Sequence, residues 1–181
     1  VVRSIMFQQL NGTAARTIYD RLLKAAGGKI TPESLNGLSD EQLRAVGLSR
    51  QKTAYLRDLI ARTLSGEIEF ERLPEMSDDD VIEHLTRVKG IGVWTAHMFL
   101  IFALRRPNIM PTLDYGIQAA VRKWYRKRKM PKHDQLMKLA KKWDPYCSIA
   151  SWYLWRSTDL AAAPPPLGDA KPAKKRVAKR P

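Results

Sequence analysis

The sequence predicts an all-α fold of about eight helices. Three observations predict it. Apolar residues recur at the spacing of one helix face, the period-two alternation of a strand is missing, and residues that start and stop helices fall at the ends of the periodic stretches. Residues 2–26 carry Val2, Ile5, Met6, Leu10, Ile18, Leu22 and Leu23 on one pattern ended by Gly27-Gly28, which predicts a single long first helix. Ser39-Asp40-Glu41-Gln42 has the spacing of a capping box, and Gly47 closes a short helix. Ser49 is placed to cap the next helix, which runs to Gly66 with Ala54, Leu56, Leu59, Ile60 and Leu64 on its apolar positions. Ser77-Asp78-Asp79-Asp80 sets carboxylates on the positive end of a helix that continues through Thr86. A helix over 93–105 follows, and Pro107 and Pro111 mark a loop. Another helix starts near Asp114 and runs to about Arg128. Pro131 separates it from a helix over 133–142, and Asp144-Pro145 precedes a last helix over 148–162.

The 181 residues suffice for one ordinary domain, read here as residues 1–160. The chain opens at Val1, inside the first periodic stretch, so a preceding N-terminal segment stays an open expectation. Residues 161–181, rich in Pro, Ala and Lys, read as a disordered basic tail that adds nonspecific DNA affinity. The formal charge is +14. Six of the 32 basic residues lie in 171–181, so 26 others stand against 18 acids, and the excess belongs to the folded part too. That balance points to a polyanionic partner, nucleic acid ahead of a membrane. A single cysteine, Cys147, excludes an internal disulfide and a cysteine-ligated cluster, and His84, His97 and His133 lack ligand spacing, so no metal site is expected. With no signal peptide and no apolar run of about 20 residues, the expectation is a monomeric cytoplasmic protein associated with the nucleoid.

The stretch Val88-Lys89-Gly90-Ile91-Gly92-Val93-Trp94-Thr95-Ala96 lies between two predicted helices. Gly90 and Gly92 can take backbone angles closed to other residues and allow close approach. Ile91 between them is placed to pack inward. Free N–H groups at the start of the following helix, with the positive end of its dipole, make a surface for a DNA phosphate. Lys89 in the loop and Thr95 just inside the helix belong to that surface. A glycine-rich turn with only a packing role explains the same pattern without DNA.

These residues bring the sequence to a known family. Val88-Lys89-Gly90-Ile91-Gly92 matches the helix–hairpin–helix pattern, and with Val93-Trp94-Thr95-Ala96 and Pro111-Thr112-Leu113-Asp114-Tyr115-Gly116-Ile117 it resembles the helix–hairpin–helix (HhH-GPD) base-excision DNA glycosylases. Within them it is most similar to the alkylbase branch, 3-methyladenine DNA glycosylase II. Gln8-Gln9-Leu10, Gly47-Leu48-Ser49-Arg50-Gln51-Lys52, Trp143-Asp144-Pro145-Tyr146 and Trp152-Tyr153-Leu154-Trp155-Arg156 extend the resemblance over about residues 1–160.

Asp114 precedes Tyr115-Gly116-Ile117-Gln118, so by its residues alone it reads as a helix N-cap. The resemblance implies that it is the catalytic aspartate. Cleaving an N-glycosidic bond builds positive charge on the deoxyribose, and one nearby anion stabilises it and orients the attacking water. A base alkylated at N3 or N7 leaves as a neutral molecule, so no general acid is required, and His97 reads as a surface or packing residue. Bifunctional relatives carry a nucleophilic lysine two residues after the second glycine, where this chain has Trp94. The resemblance therefore implies a monofunctional enzyme without lyase activity.

Trp94, Tyr115, Trp152, Tyr153 and Trp155 are candidates for the aromatic wall of a pocket for the flipped base, and the resemblance implies Trp94 and Trp155, with Met98 at a place often aromatic in relatives. An indole face attracts a cationic base by about 1–2 kcal/mol when desolvated. Trp124, Trp143 and Trp152 read as core. Gln8, Gln9, Leu10 and Asn11 lie where family members insert a side chain into the gap left by the flipped base, although Leu10 also fits the core of the first helix. Cys147 stands where relatives often carry arginine, so a phosphate or structural contact is in doubt. No cofactor is required, and the resemblance adds a possible Na⁺ or K⁺ at the hairpin carbonyls. Three functions remain open from the sequence: a glycosylase for alkylated purines in double-stranded DNA, one for deaminated or mismatched bases, and a noncatalytic DNA-binding module.

Overall fold

The computed structural model describes residues 1–162, which form ten α-helices and one 3₁₀ helix, with no strand among the described residues. In chain order these are α1 (Val2–Phe7), α2 (Gly12–Ala25), α3 (Pro32–Asn36), α4 (Asp40–Ala45), α5 (Arg50–Leu64), the 3₁₀ helix (Phe70–Glu75), α6 (Asp78–Thr86), α7 (Val93–Phe102), α8 (Tyr115–Trp124), α9 (His133–Ala140) and α10 (Cys147–Ala162). The all-α class is as the sequence predicts, but eleven helices replace the expected eight. The expected basic tail lies outside the described residues, apart from its first two, which close α10. No helix of the described residues is long and apolar enough to cross a membrane.

Three differences have local causes. The single first helix is two, because Gln9 takes a left-handed backbone (φ 56°) and the Asn11 side-chain oxygen accepts from the Ala14 N–H at 2.8 Å, starting α2 afresh. Leu10, which fits the helical period on paper, sits in that break and is exposed. The unassigned stretch before Ser39 holds α3, where Thr31 and Ser34 cap each other reciprocally and Pro32 occupies the first turn. Helix α8 stops at Trp124, short of Arg128, since Arg126 turns left-handed (φ 50°) and the Arg126 and Lys127 N–H groups bond back to the Lys123 and Arg122 carbonyls.

The buried side chains fall into two clusters. The first gathers α1 through α7 around Leu22, Leu43, Leu56, Leu85 and Leu100, and the second joins α8, α9 and α10 through Ile117, Val121, Leu136 and Leu154. Trp143 packs on the second cluster, whereas Trp124 and Trp152, expected in the core, are 55% and 48% exposed. The loop from α7 to α8 joins the two halves. Its Arg106 guanidinium donates to the Pro74 and Met76 carbonyls, and the buried Ser148 hydroxyl, at the start of α10, donates to the Arg106 carbonyl at 2.6 Å while accepting from the Ile109 N–H at 2.9 Å.

That serine satisfies two backbone groups, the Arg106 carbonyl and the Ile109 N–H. Ser148→Ala leaves both without their partner and is expected to cost about 2 kcal/mol of stability, read as a lower urea midpoint at unchanged slope.

Candidate active site

The hairpin between α6 and α7 is held from outside its own sequence. The Lys89 backbone N–H donates to Asp58 Oδ2 at 2.8 Å, and Arg62 Nε donates to the same oxygen at 2.9 Å. Burial pushes the Asp58 carboxyl up, but the Lys89 N–H and the Arg62 hydrogen bond and charge outweigh it and hold the group below its ordinary value. Lys89 Nζ also lies 3.8 Å from Asp58. On the other side, Gln8 Nε2 donates to the Gly90 carbonyl at 2.7 Å, tying the break between α1 and α2 to the hairpin. Ile91 is buried, as its place between the glycines requires.

The two glycines do different work. Gly90 has φ +80°, and a Cβ there would lie 2.2 Å from the Tyr55 ring. Gly92 has φ −100°, which any residue can adopt, and a Cβ there would meet nothing within 4 Å. Gly92 is the N-cap of α7, and no side chain caps that helix. Only Gly90 needs glycine for the fold. The open space at Gly92 lies at the uncapped start of α7, and a free helix N-terminus is a place where an anion can approach.

Asp114 is the N-cap of α8 and is 8% exposed. Its Oδ1 accepts from the Ile117 N–H and from Trp155 Nε1, each at 2.8 Å, and its Oδ2 accepts from Trp94 Nε1 at 2.8 Å. The N-cap expected from the residues alone is therefore real, and it fixes a carboxylate between α7, α8 and α10. An ionised carboxylate has about four acceptor positions. Three are filled, and the remaining one, on Oδ2, can face a water or a developing cation. Gly116 makes the arrangement possible, since a Cβ there would sit 3.1 Å from both Asp114 Oδ1 and Trp155 Cδ1. Trp155 also stacks on Phe102, with ring centroids 5.8 Å apart and planes 27° apart.

Trp94 links this carboxylate to a cleft of about 620 Å³ bounded by α1, α5 and the hairpin. Trp94, Thr95, Met98, Gly90 and Gln9 line it. These lining residues all belong to the first half of the molecule. Trp94 is 43% exposed and Thr95 is buried. Leu10 and Asn11 stand exposed in the break beside Gln9, the Asn11 side-chain oxygen being used as a cap. Tyr115 is 76% exposed and borders a separate depression on α8. His97 is half-buried, its basicity lowered by burial, and lines a different cavity with Asp78 and His133.

Sequence reading gave no role to Lys52, Tyr55, Asp58, Phe102 and Gly116, and it placed Gln8 among the gap-filling residues rather than on the hairpin carbonyl. The Lys52 ammonium donates to the Met6 carbonyl at 2.6 Å inside the cleft, and burial lowers its pKa. Tyr55 lies against Gly90 and accepts from Gln51 one turn earlier. For Asp58, the i,i+4 pairing with Arg62 was visible, but it reads equally well as an ordinary surface ion pair. No group of three or more His, Cys, Asp or Glu that could hold a metal occurs among the described residues.

With this geometry in place, comparison with known proteins is direct. Residues 2–145 match the family described as HhH-GPD superfamily base excision DNA repair protein. The chain is 34% identical over 166 residues to the Bacillus subtilis protein YfjP, covering 88% of this chain and 58% of that protein. It resembles the crystal structure of a DNA-3-methyladenine glycosidase from Bacillus halodurans at 37% identity and a TM-score of 0.80, over 89% of this chain and 75% of the other. It also resembles a Schizosaccharomyces pombe 3-methyladenine DNA glycosylase in complex with abasic DNA, at 35% identity and a TM-score of 0.78, over 90% and 81% of the two chains. The chain therefore spans little more than half the length of one relative and about three quarters or more of the other two.

The two hairpin glycines give opposing expectations. Gly90→Ala must displace the Tyr55 ring and hold a left-handed backbone, and is expected to cost 2 kcal/mol or more. Gly92→Ala should change stability by less than about 1 kcal/mol. Paired urea titrations measure both.

Proposed function

The chain belongs to the HhH-GPD superfamily of base excision DNA repair proteins, and from that premise we propose that it is a monofunctional DNA glycosylase that excises alkylated purines, the 3-methyladenine and 7-methylguanine class, from double-stranded DNA. The observation that carries this reading is the Asp114 carboxylate, held by N–H donors from three helices with one acceptor position left on Oδ2. A group held in this way needs no rearrangement when positive charge appears beside it.

The damaged nucleotide leaves the base stack and enters the cleft beside Trp94, whose indole face suits a cationic purine. As the N-glycosidic bond breaks, its electron pair goes to the base, which departs neutral, and charge builds on the deoxyribose. Asp114 stabilises that charge and orients a water. The water oxygen bonds to the anomeric carbon, and its proton passes to the carboxylate and then to solvent. An abasic site with an intact backbone remains. The position of a Schiff-base lysine is occupied by Trp94, and the Lys89 ammonium turns toward Asp58, so strand cleavage is not part of this reading.

The phosphate beside the flipped nucleotide meets the open N-terminus of α7 at Gly92, and Gln9, Leu10 and Asn11 enter the vacated stack. The same reading includes a Na⁺ or K⁺ on hairpin carbonyls. The Val88 carbonyl already accepts from the Ile91 N–H and keeps a second lone pair for an ion. The protein acts as a monomer on chromosomal DNA.

Asp114→Asn keeps the N-cap, since asparagine caps as well as aspartate, and removes the charge. It is expected to slow release of 3-methyladenine and 7-methylguanine from methylated duplex by about 10²–10³-fold, with the fold intact by circular dichroism. Release by the variant at the wild-type rate would remove Asp114 from the catalytic role, and no release by the wild type would reduce the protein to a noncatalytic DNA-binding module. Preferential release of deaminated or mismatched bases from a panel of single-lesion duplexes would move the substrate class.

A further inference from the structure

We infer that the end of α8 and the segment after it form a second contact surface for the backbone of duplex DNA, about 15 Å from the catalytic carboxylate; this rests on the glycosylase reading of Asp114 and extends its footprint. The distance is the length of the ten-residue helix that starts next to Asp114, and it equals the rise of about four base pairs.

Arg122, Lys123, Arg126, Lys127, Arg128 and Lys129 are all exposed. No acidic residue occurs between Asp114 and Asp134, and none of the six cations pairs with a carboxylate of a described residue. A solvated basic face is the ordinary reading of such a run, and the helix dipole accounts for the two cations in the last turn of α8. It does not account for the four beyond that turn, which repel one another without a counter-charge.

Two further observations point outward. Tyr115, Arg122, Lys123 and Lys127 line one open depression of about 370 Å³, so the basic surface is continuous with the residue that follows Asp114. The backbone at Arg126 is the other. Helices α2, α4 and α5 each end in a glycine at the left-handed residue after the cap, Gly27, Gly47 and Gly66, with φ of 72°, 109° and 76°. Helix α8 makes the same turn with Arg126, at φ 50°. A side chain there is disfavoured, so the charge is kept where the fold would accept glycine more easily. Duplex DNA fits this surface because its phosphates supply the missing anions at regular spacing.

The test is a salt titration of binding to an undamaged duplex. Each lost phosphate contact should make the slope of log K against log salt shallower by about 1. Arg122→Gln/Lys123→Gln/Lys127→Gln should therefore lose about 2–3 from the slope, with the excision rate at saturating methylated duplex unchanged. Arg126→Gly should lose about 1 while its thermal midpoint stays level or rises, an outcome a merely structural arginine would not give. Unchanged slopes in both variants would overturn the inference, as would a loss confined to anionic phosphatidylserine vesicles with duplex binding intact. Excision by the wild type with unchanged slopes would leave the glycosylase reading standing and sink this one. Shallower slopes in a protein that excises nothing would do the reverse.

Discussion

The site depends on one carboxylate and the three N–H groups that hold it. Asp114 is gripped by Trp94 from α7, by the Ile117 backbone of α8 and by Trp155 from α10. Neutral donors of this kind fix the position of the charge without cancelling it, whereas an arginine or lysine partner would neutralise it. The arrangement is tight at Gly116, where a Cβ would press on both the carboxylate and the Trp155 indole and make one of them give by a few tenths of an ångström. The two tryptophans thus serve the carboxylate first, and Trp94 alone of them lines the cleft.

Around this centre the molecule divides its labour by half. The first half builds the cleft and the hairpin, with Asp58 holding the Lys89 backbone and Gln8 holding the Gly90 carbonyl. The second half supplies the carboxylate and Trp155. The loop between α7 and α8 carries the chain across, and its polar groups are satisfied by Ser148 and by the Arg106 contacts to Pro74 and Met76. Because the site draws on both halves, an error in that loop would displace the carboxylate relative to the cleft, and displacements of about 1 Å are enough to cost rate heavily.

The hairpin shows how one short motif contains two unlike requirements. Gly90 is demanded by the fold, through a left-handed backbone pressed on Tyr55. Gly92 is demanded by nothing inside the chain, and the room it leaves lies at an uncapped helix start. Similarly, Arg126 takes a turn position that three other helices give to glycine. At Gly92 and at Arg126 alike, the residue is one the fold itself does not require.

The amino-acid sequence by itself determined the helical class, most helix starts, the buried Ile91 and the pairing of a helix N-cap with the carboxylate at Asp114, because capping chemistry and helical period act over a few residues and can be read locally. The break at Gln9 escaped because the apolar period runs through it unchanged while Asn11 restarts the helix. The half-exposed Trp124 and Trp152 escaped because helical spacing says which residues share a face and not whether another element covers it. Only the tertiary structure decided that two tryptophans 61 positions apart would both donate to Asp114, that Asp58 would hold a loop 31 residues away, and that Gly90 and Gly92 differ. Those are contacts between distant segments, and they exist only once packing has brought their helices together.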